Sequence, residues 1–444
     1  MSYKSLAFRL FILLGVLALI LAACQPAPTP APPAPPPVEK PTEVPTQPPP
    51  PPPAPKKLEI FSWWTTGGEA AGLLKMFDIY NAKIPDVEII NATVAGGAGF
   101  EAKAVLKARM LGGDPPGSFQ VHMGRELTDT WVVNDYMDPL NDLFKEEGWD
   151  KVFPPGVLEI VSYDGKYWSV PVNIHRSNVL WFNKKVFTEN AWTPPATFEE
   201  FFALAEQMKA KGITPLALGD VGIWASTHLF EVVLAGTLGP EKYNGLWTGE
   251  TDWGGPEVKL ALENMAKMLE YANPDHSALS WDQANDLVIQ GKAGMTIMGD
   301  WVDADNLAKK FADSGWAPPP ATQGIFVALS DTFGMPKGAP NPELVIEWLR
   351  IAGSKAGQEA FNPVKGSICA RNDCDAALFG PYLQSAMQDW AKDTIVASLA
   401  HGASASESWV TYINDVMTVF VTDRDVAKAQ AGLVQACKDA KVCK

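Results

Sequence analysis

Between Gln25 and Pro55 the chain places 17 of its 38 prolines, mixed with Ala, Thr, Val and Glu. Proline lacks an amide N–H and fixes φ, so this run can support neither helix nor sheet ladder and favours extended polyproline II. At about 3.1 Å per residue, it could hold the following part up to roughly 90 Å from the preceding one. The block therefore divides the chain into a leader, a tether and a folded part that begins near Lys56. The folded part is long enough for about two domains of 100–200 residues. Over the 444 residues, 47% are hydrophobic and 20% charged, which is globular stock and excludes global disorder.

The leader reads as an address. Lys4 and Arg9 give it a positive end, and Leu10 to Ala22 is an apolar run broken only by Gly15. That run has the length of a signal-peptide core and falls short of the ~20 residues of a membrane span. It closes on Leu21-Ala22-Ala23-Cys24, which resembles the bacterial lipoprotein box. The resemblance implies cleavage after residue 23 and a lipidated N-terminal Cys24, with residues 24–55 as a tether. The rival, an uncleaved anchor helix, also leaves the remainder outside the cytoplasm. No other run of 18 or more apolar residues exists, so the membrane is met through the N-terminal lipid alone.

Lys and Arg total 36 against 51 Asp and Glu, a formal charge of −15. No stretch concentrates positive charge, which excludes a nucleic-acid partner. With Cys24 assigned to lipid, Cys369, Cys374, Cys437 and Cys443 remain, an even set that an extracytoplasmic compartment can oxidise. Of three connectivities, the close spacing favours Cys369–Cys374 and Cys437–Cys443. A zinc site fits poorly, because the spacings are loose and no histidine is close in sequence.

From Lys56 onward, strand and helix patterns alternate. Strands are expected at Leu58–Ser62, Val87–Asn91, Phe119–His122, Pro215–Leu218, Ala293–Met298 and Ile325–Leu329. Helices are expected over Leu73–Ile84, Phe100–Leu111, Glu343–Gly353 and Glu407–Val421. Another should begin at the capping box Thr197-x-x-Glu200. The alternation argues an α/β fold with mostly parallel strands. In such folds ligands bind beyond the carboxyl ends of strands. Here those ends carry Trp63-Trp64, Gln120 and His122, Asp300-Trp301 and Asp331. Indole faces beside carboxylates, amides and imidazoles suit a sugar, whose C–H face is apolar while each hydroxyl both donates and accepts.

Several segments then resemble a known family. Phe61-Ser62-Trp63-Trp64, Leu-Gly-Gly-Asp-Pro-Pro (111–116) and Pro-Pro-Ala-Thr-Phe-Glu-Glu-Phe (194–201) look like extracellular solute-binding proteins of ABC sugar importers. Residues 112–122, 169–178, 334–338, 362–368 and Leu-Ala-His-Gly (399–402) resemble the branch that binds glucose, galactose or mannose. The resemblance implies a periplasmic-binding-protein-like fold with two discontinuous α/β lobes and a ligand cleft between them. Residues 56–173 plus about 331–380 would form one lobe, and about 174–330 plus 381–444 the other. It further implies delivery of a monosaccharide to permease subunits, and a monomer is expected; the sequence holds no Gly-x-x-x-x-Gly-Lys-Ser/Thr or His-Glu-x-x-His, so no cofactor or metal is expected.

Carried over by position, the resemblance makes Trp63 and Trp64 stacking or edge groups, with Glu69 reaching a hydroxyl. Gln120 and His122 would bond the ring, and Trp281 would be the stacking platform from the opposite lobe. Asp331, Lys365 and His401 match the remaining polar contacts. Asp300 and Trp301 sit at a strand exit as ligand contacts or as supports, and His175 as a contact or a core histidine. Asp300, Asp303 and Asp305 lack the glycine turn and terminal Glu of an EF-hand loop and read as a helix start. Two other functions compete. Glu69, Asp300 and Asp331 could serve a glycoside hydrolase, since binding and catalytic carboxylates look alike in sequence. A sugar sensor for a chemoreceptor is the other.

Overall fold

The computed structural model describes residues 56–443; the leader, Cys24 and the tether lie outside the described residues. The strand Lys56–Ser62 buries Leu58 and Ile60 completely while its two lysines stay in water. It is the second strand of a five-stranded sheet in the order Val87–Thr93, Lys56–Ser62, Ser118–His122, Asp331–Gly334 and Ser169–Pro171. A four-stranded sheet runs Ser314–Ala317, Val179–Asn183, Ala293–Met298 and Thr214–Ala217. A three-stranded sheet runs Thr394–Ala397, Ile325–Leu329 and His175–Arg176. Helices cover these sheets, giving the expected α/β, periplasmic-binding-protein-like fold.

The expectation of mostly parallel strands does not hold. Among the described residues four strand pairings are parallel and six antiparallel. A parallel neighbour needs a crossover of a dozen or more residues. The chain instead steps between sheets by very short links. Only Ser330 separates Ile325–Leu329 from Asp331–Gly334, and only residues 172–174 separate Ser169–Pro171 from His175–Arg176. Asp331–Gly334 therefore enters the five-stranded sheet antiparallel to both of its neighbours, with Asp331 opposite His122. These links bring the ends of strands from two sheets to one place, where the candidate site lies.

The helix Phe100–Leu111 has the expected bounds, and Thr197 caps Phe198–Ala210 through its hydroxyl, which accepts from the Glu200 amide at 3.2 Å. The reciprocal Glu200 carboxylate reaches one residue further back than the pattern implied, to the Ala196 amide at 2.7 Å. Both local disulfides are present, Cys369–Cys374 and Cys437–Cys443. The long helix Trp224–Thr248 was not foreseen. It is buried over most of its first half, which hides the 3.6 period, and it is interrupted at Gly239-Pro240. No helix among the described residues is long and apolar enough to cross a membrane.

Candidate functional site

Where the chain leaves its first strand at Ser62, the next two residues no longer alternate between faces, so Trp63 and Trp64 both reach one pocket. Trp63 packs against His122, with ring centroids 4.9 Å apart. Trp64 is held from behind by Phe361 and Phe333 at 5.0 and 5.7 Å. From elements far along the chain come Trp224, Trp281 and Trp301. Trp281 opens the helix Trp281–Ile289, whose capping box is Ser280 with Gln283, and meets the Trp301 ring edge-on at 6.5 Å.

The polar wall is more tightly specified. Asp331 accepts from the Gln120 side-chain amide at 2.7 Å and the Asn173 amide at 2.8 Å, and faces His175 Nε2 at 3.3 Å. Burial pushes this carboxyl up, but His175, Lys365 and His122 outweigh it and hold it far below the usual carboxylate range. His175 in turn lies between two carboxylates, Asp331 and Asp300. Burial works against its charge, yet Asp300 overcomes burial and the repulsion of Lys365, so its pKa is raised. On the other flank, Lys103 and His122 share the buried Glu126, at 2.6 and 2.8 Å. Those two groups offset burial and keep Glu126 below its ordinary pKa. Lys365 ends its helix with its ammonium 2.9 Å from Glu69 and near the faces of Trp64 and Trp301.

Eight expected residues line this pocket: Trp63, Trp64, Glu69, His122, Trp281, Asp331, Lys365 and His401. Gln120 and Asp300 do not. Gln120 spends its amide on Asp331 and its carbonyl on the Trp63 amide at 3.2 Å. Asp300 is fully buried and holds His175 and the Arg176 backbone N–H, the latter at 2.8 Å. Both are placed behind the wall, as supports. His175, Trp301 and Trp224 do line it. Trp224 was missed, and no signal in its own segment marks it. The nearest clue is the remote Gly96-Gly97: a Cβ on Gly97 would stand 2.1 Å from the Trp224 indole nitrogen, so only glycine permits that approach.

His228, Glu231 and His401 bring ligating atoms within 4.8 Å of one another. Donors around a tetrahedral zinc stand about 3.4 Å apart, given bonds near 2.1 Å. These three are also engaged already: His228 Nε2 with the Ser177 carbonyl at 2.9 Å, Glu231 with the Ala400 N–H at 2.8 Å, His401 Nδ1 with Ser398 at 2.8 Å. The arrangement is a hydrogen-bond network, and the pocket as a whole is a binding surface of indole faces and fixed donors and acceptors.

An α/β fold with a polar, tryptophan-walled pocket at converging strand ends describes a ligand receptor. Comparison with known proteins agrees. The model of the bacterial extracellular solute-binding protein family matches residues 59–359. A relative from Pyrococcus horikoshii, described as an uncharacterized ABC transporter extracellular-binding protein, is 36% identical over 390 residues, 86% of this chain and 88% of its own. A probable sugar-binding periplasmic protein of Rhizobium meliloti is 33% identical over 399 residues, covering 87% and 94%. Among solved structures, the bacterial solute receptor AcbH, reported to prefer β-D-galactopyranose exclusively, superposes with a TM-score of 0.78 at 19% identity, covering 87% of this chain and 99% of its own. The chain belongs to the bacterial extracellular solute-binding protein family.

Proposed function

We propose that this protein captures a monosaccharide (glucose, galactose or mannose) outside the cytoplasm and delivers it to an ABC permease. The observation that carries this reading is the wall itself: five indoles around fixed polar groups, among them Asp331, Lys365, His122 and His401. Such a wall offers both apolar faces for C–H groups and separate donors and acceptors for hydroxyls. The described names of the Rhizobium relative and of AcbH point the same way.

In this reading, residues 56–173 with about 331–380 form one lobe and about 174–330 with 381–444 the other. The links at residues 172–174 and Ser330 would act as hinges. Hydrolysis is disfavoured by the carboxylates themselves. Asp331 and Asp300 have their oxygens occupied by fixed donors, and Glu69 is paired with Lys365, so none is poised to give a proton to a glycosidic oxygen. Calorimetric titration against glucose, galactose, mannose, xylose and maltose tests the proposal, with melting curves alongside. At least one hexose should bind, and at 100-fold above its dissociation constant it should stabilise the protein by about 2.7 kcal/mol. Three silent hexoses in both measurements would refute it.

A further inference from the structure

Glu231 is completely buried on the long helix Trp224–Thr248 and does not line the pocket, yet it is wired to a residue that does. Its carboxyl accepts from the Ala400 N–H at 2.8 Å, contacts the Ser177 hydroxyl, and lies 2.9 and 3.1 Å from Ser398 Oγ. Ser398 Oγ also lies 2.8 Å from His401 Nδ1. His401 lines the pocket, and with Nδ1 engaged its Nε2 is the nitrogen left for a ligand.

We propose that Glu231 is a positioning residue that sets the tautomer of His401 through Ser398, so that His401 Nε2 donates to the ligand when Glu231 carries a proton and accepts when it does not. The reasoning is a count of hydrogens. A serine hydroxyl has one proton to give and lone pairs to receive. With Glu231 ionised, Ser398 donates to the carboxylate and accepts from His401 Nδ1–H, which leaves a bare Nε2 toward the pocket. With Glu231 protonated, its O–H points to Ser398, and Ser398 donates to a bare Nδ1, so the imidazole proton sits on Nε2. The change balances with one proton from water. It arrives at Nε2, Nδ1 passes its own proton to Ser398 Oγ, and the serine proton moves to Glu231. The imidazole is neutral before and after.

The surroundings favour this order of events. Burial pushes Glu231 up to about 7, against the serine hydroxyls and backbone N–H groups that pull it down. His401 is driven well below its ordinary pKa by burial first, then by His122, His228, Lys103 and His175, so it stays neutral. The other titratable groups that face the relay do not compete for the proton. His228 is held neutral by burial, at about 4, with Nε2–H on the Ser177 carbonyl. Tyr243 is raised well above its usual range by burial and keeps its hydroxyl on the Ala397 carbonyl at 3.0 Å. Glu126 is already committed to Lys103 and His122.

Only the consequence for the ligand rests on the sugar reading; the relay belongs to the free protein and is tested there. Nitrogen NMR of ligand-free protein labelled in histidine should show His401 protonated on Nε2 at about pH 5.5 and on Nδ1 at about pH 8.5, with a midpoint set by the carboxyl and not by the imidazole. Glu231→Gln should freeze one tautomer across the range. Ser398→Ala, which leaves Glu231 with Ser177 and Ala400, should also abolish the midpoint and guards against a folding defect in the first variant. A single tautomer throughout in wild type, a midpoint that survives either variant, or an imidazolium at the acid end would each overturn the proposal. The functional readout is a set of monofluorinated glucoses, because fluorine accepts weakly and cannot donate. The one whose fluorine meets His401 should lose about tenfold more affinity than glucose between acid and alkaline pH, the equivalent of about one hydrogen bond. Equal pH profiles for all of them would overturn the ligand half of the proposal. A working tautomer switch in a protein that binds no hexose would instead sink the sugar reading and leave the relay standing.

Discussion

Trp281 and His122 both line the pocket, and they should not matter equally. An indole buries roughly 150–250 Å², and sugar C–H groups can cover one face of it. A neutral hydrogen bond contributes only about 0.5–1.5 kcal/mol, because water replaces it in the empty pocket. Trp281 is half-buried and stands T-shaped to Trp301, which leaves part of its surface for a ligand. Trp281→Ala should therefore lower hexose affinity by about 2–4 kcal/mol, with His122→Ala costing less. Titration reads the affinity, and circular dichroism with melting of the ligand-free variants separates binding from folding. Normal glucose binding by Trp281→Ala would remove it from the site. At this scale, Trp63-Trp64 and His122 were readable because each sits at the end of a short, strongly patterned strand. Gln120 was expected from the family resemblance as a contact, and Asp300 as either a contact or a support. Their side chains turn inward to Asp331 and His175, partners 211 and 125 residues away, which local pattern does not register.

The helix Trp301–Ala308 carries Trp301 into the pocket and packs Ala304 against two helices, Gly67–Lys83 and Lys355–Lys365. The fit is close. A Cβ on Gly68 would stand 2.7 Å from Ala304 Cβ and 2.5 Å from the Val364 carbonyl oxygen. These helices supply Glu69 and Lys365, so their approach to Ala304 closes one side of the pocket. Overpacking of this kind typically costs about 1–3 kcal/mol, and here it should act on closure. Ala304→Leu should weaken hexose binding by about tenfold or more while the ligand-free melting temperature moves little, because the extra carbons can be accommodated only by separating the helices. Unchanged affinity in titration would show that this contact does not govern closure. Several elements followed directly from local rules. Ala293–Met298 and Ile325–Leu329 are short apolar runs between turns, and Phe100–Leu111 stops at Gly112-Gly113-Asp114-Pro115-Pro116. The helix Trp224–Thr248 was not legible for the opposite reason: its first half is buried on every side, its polar residues included, so it has no solvated face to reveal a period.

Across the whole molecule, the family assignment places the folded part outside the cytoplasm, and the lipid at Cys24 remains the proposal that explains the proline tether. Intact-mass analysis of protein from the membrane fraction should find an N-terminal Cys24 with acyl mass added. Cys24→Ala should release or misprocess the protein. A wild-type chain found only as a soluble form cleaved elsewhere would contradict the anchor. By itself the amino-acid sequence determined what depends on neighbours along the chain. That includes most strand and helix positions and the two disulfides, whose partners are five and six positions apart in sequence. Tertiary structure alone decided strand direction, because Ser330 and residues 172–174 link sheets without crossovers. It alone also brought Trp224 to the candidate site and set the buried Glu231 behind it. Those contacts join residues more than a hundred positions apart, such as Lys365 with Glu69 and Ser398 with Glu231. Their formation depends on how the sheets and helices pack, so no pattern within a single segment announces them.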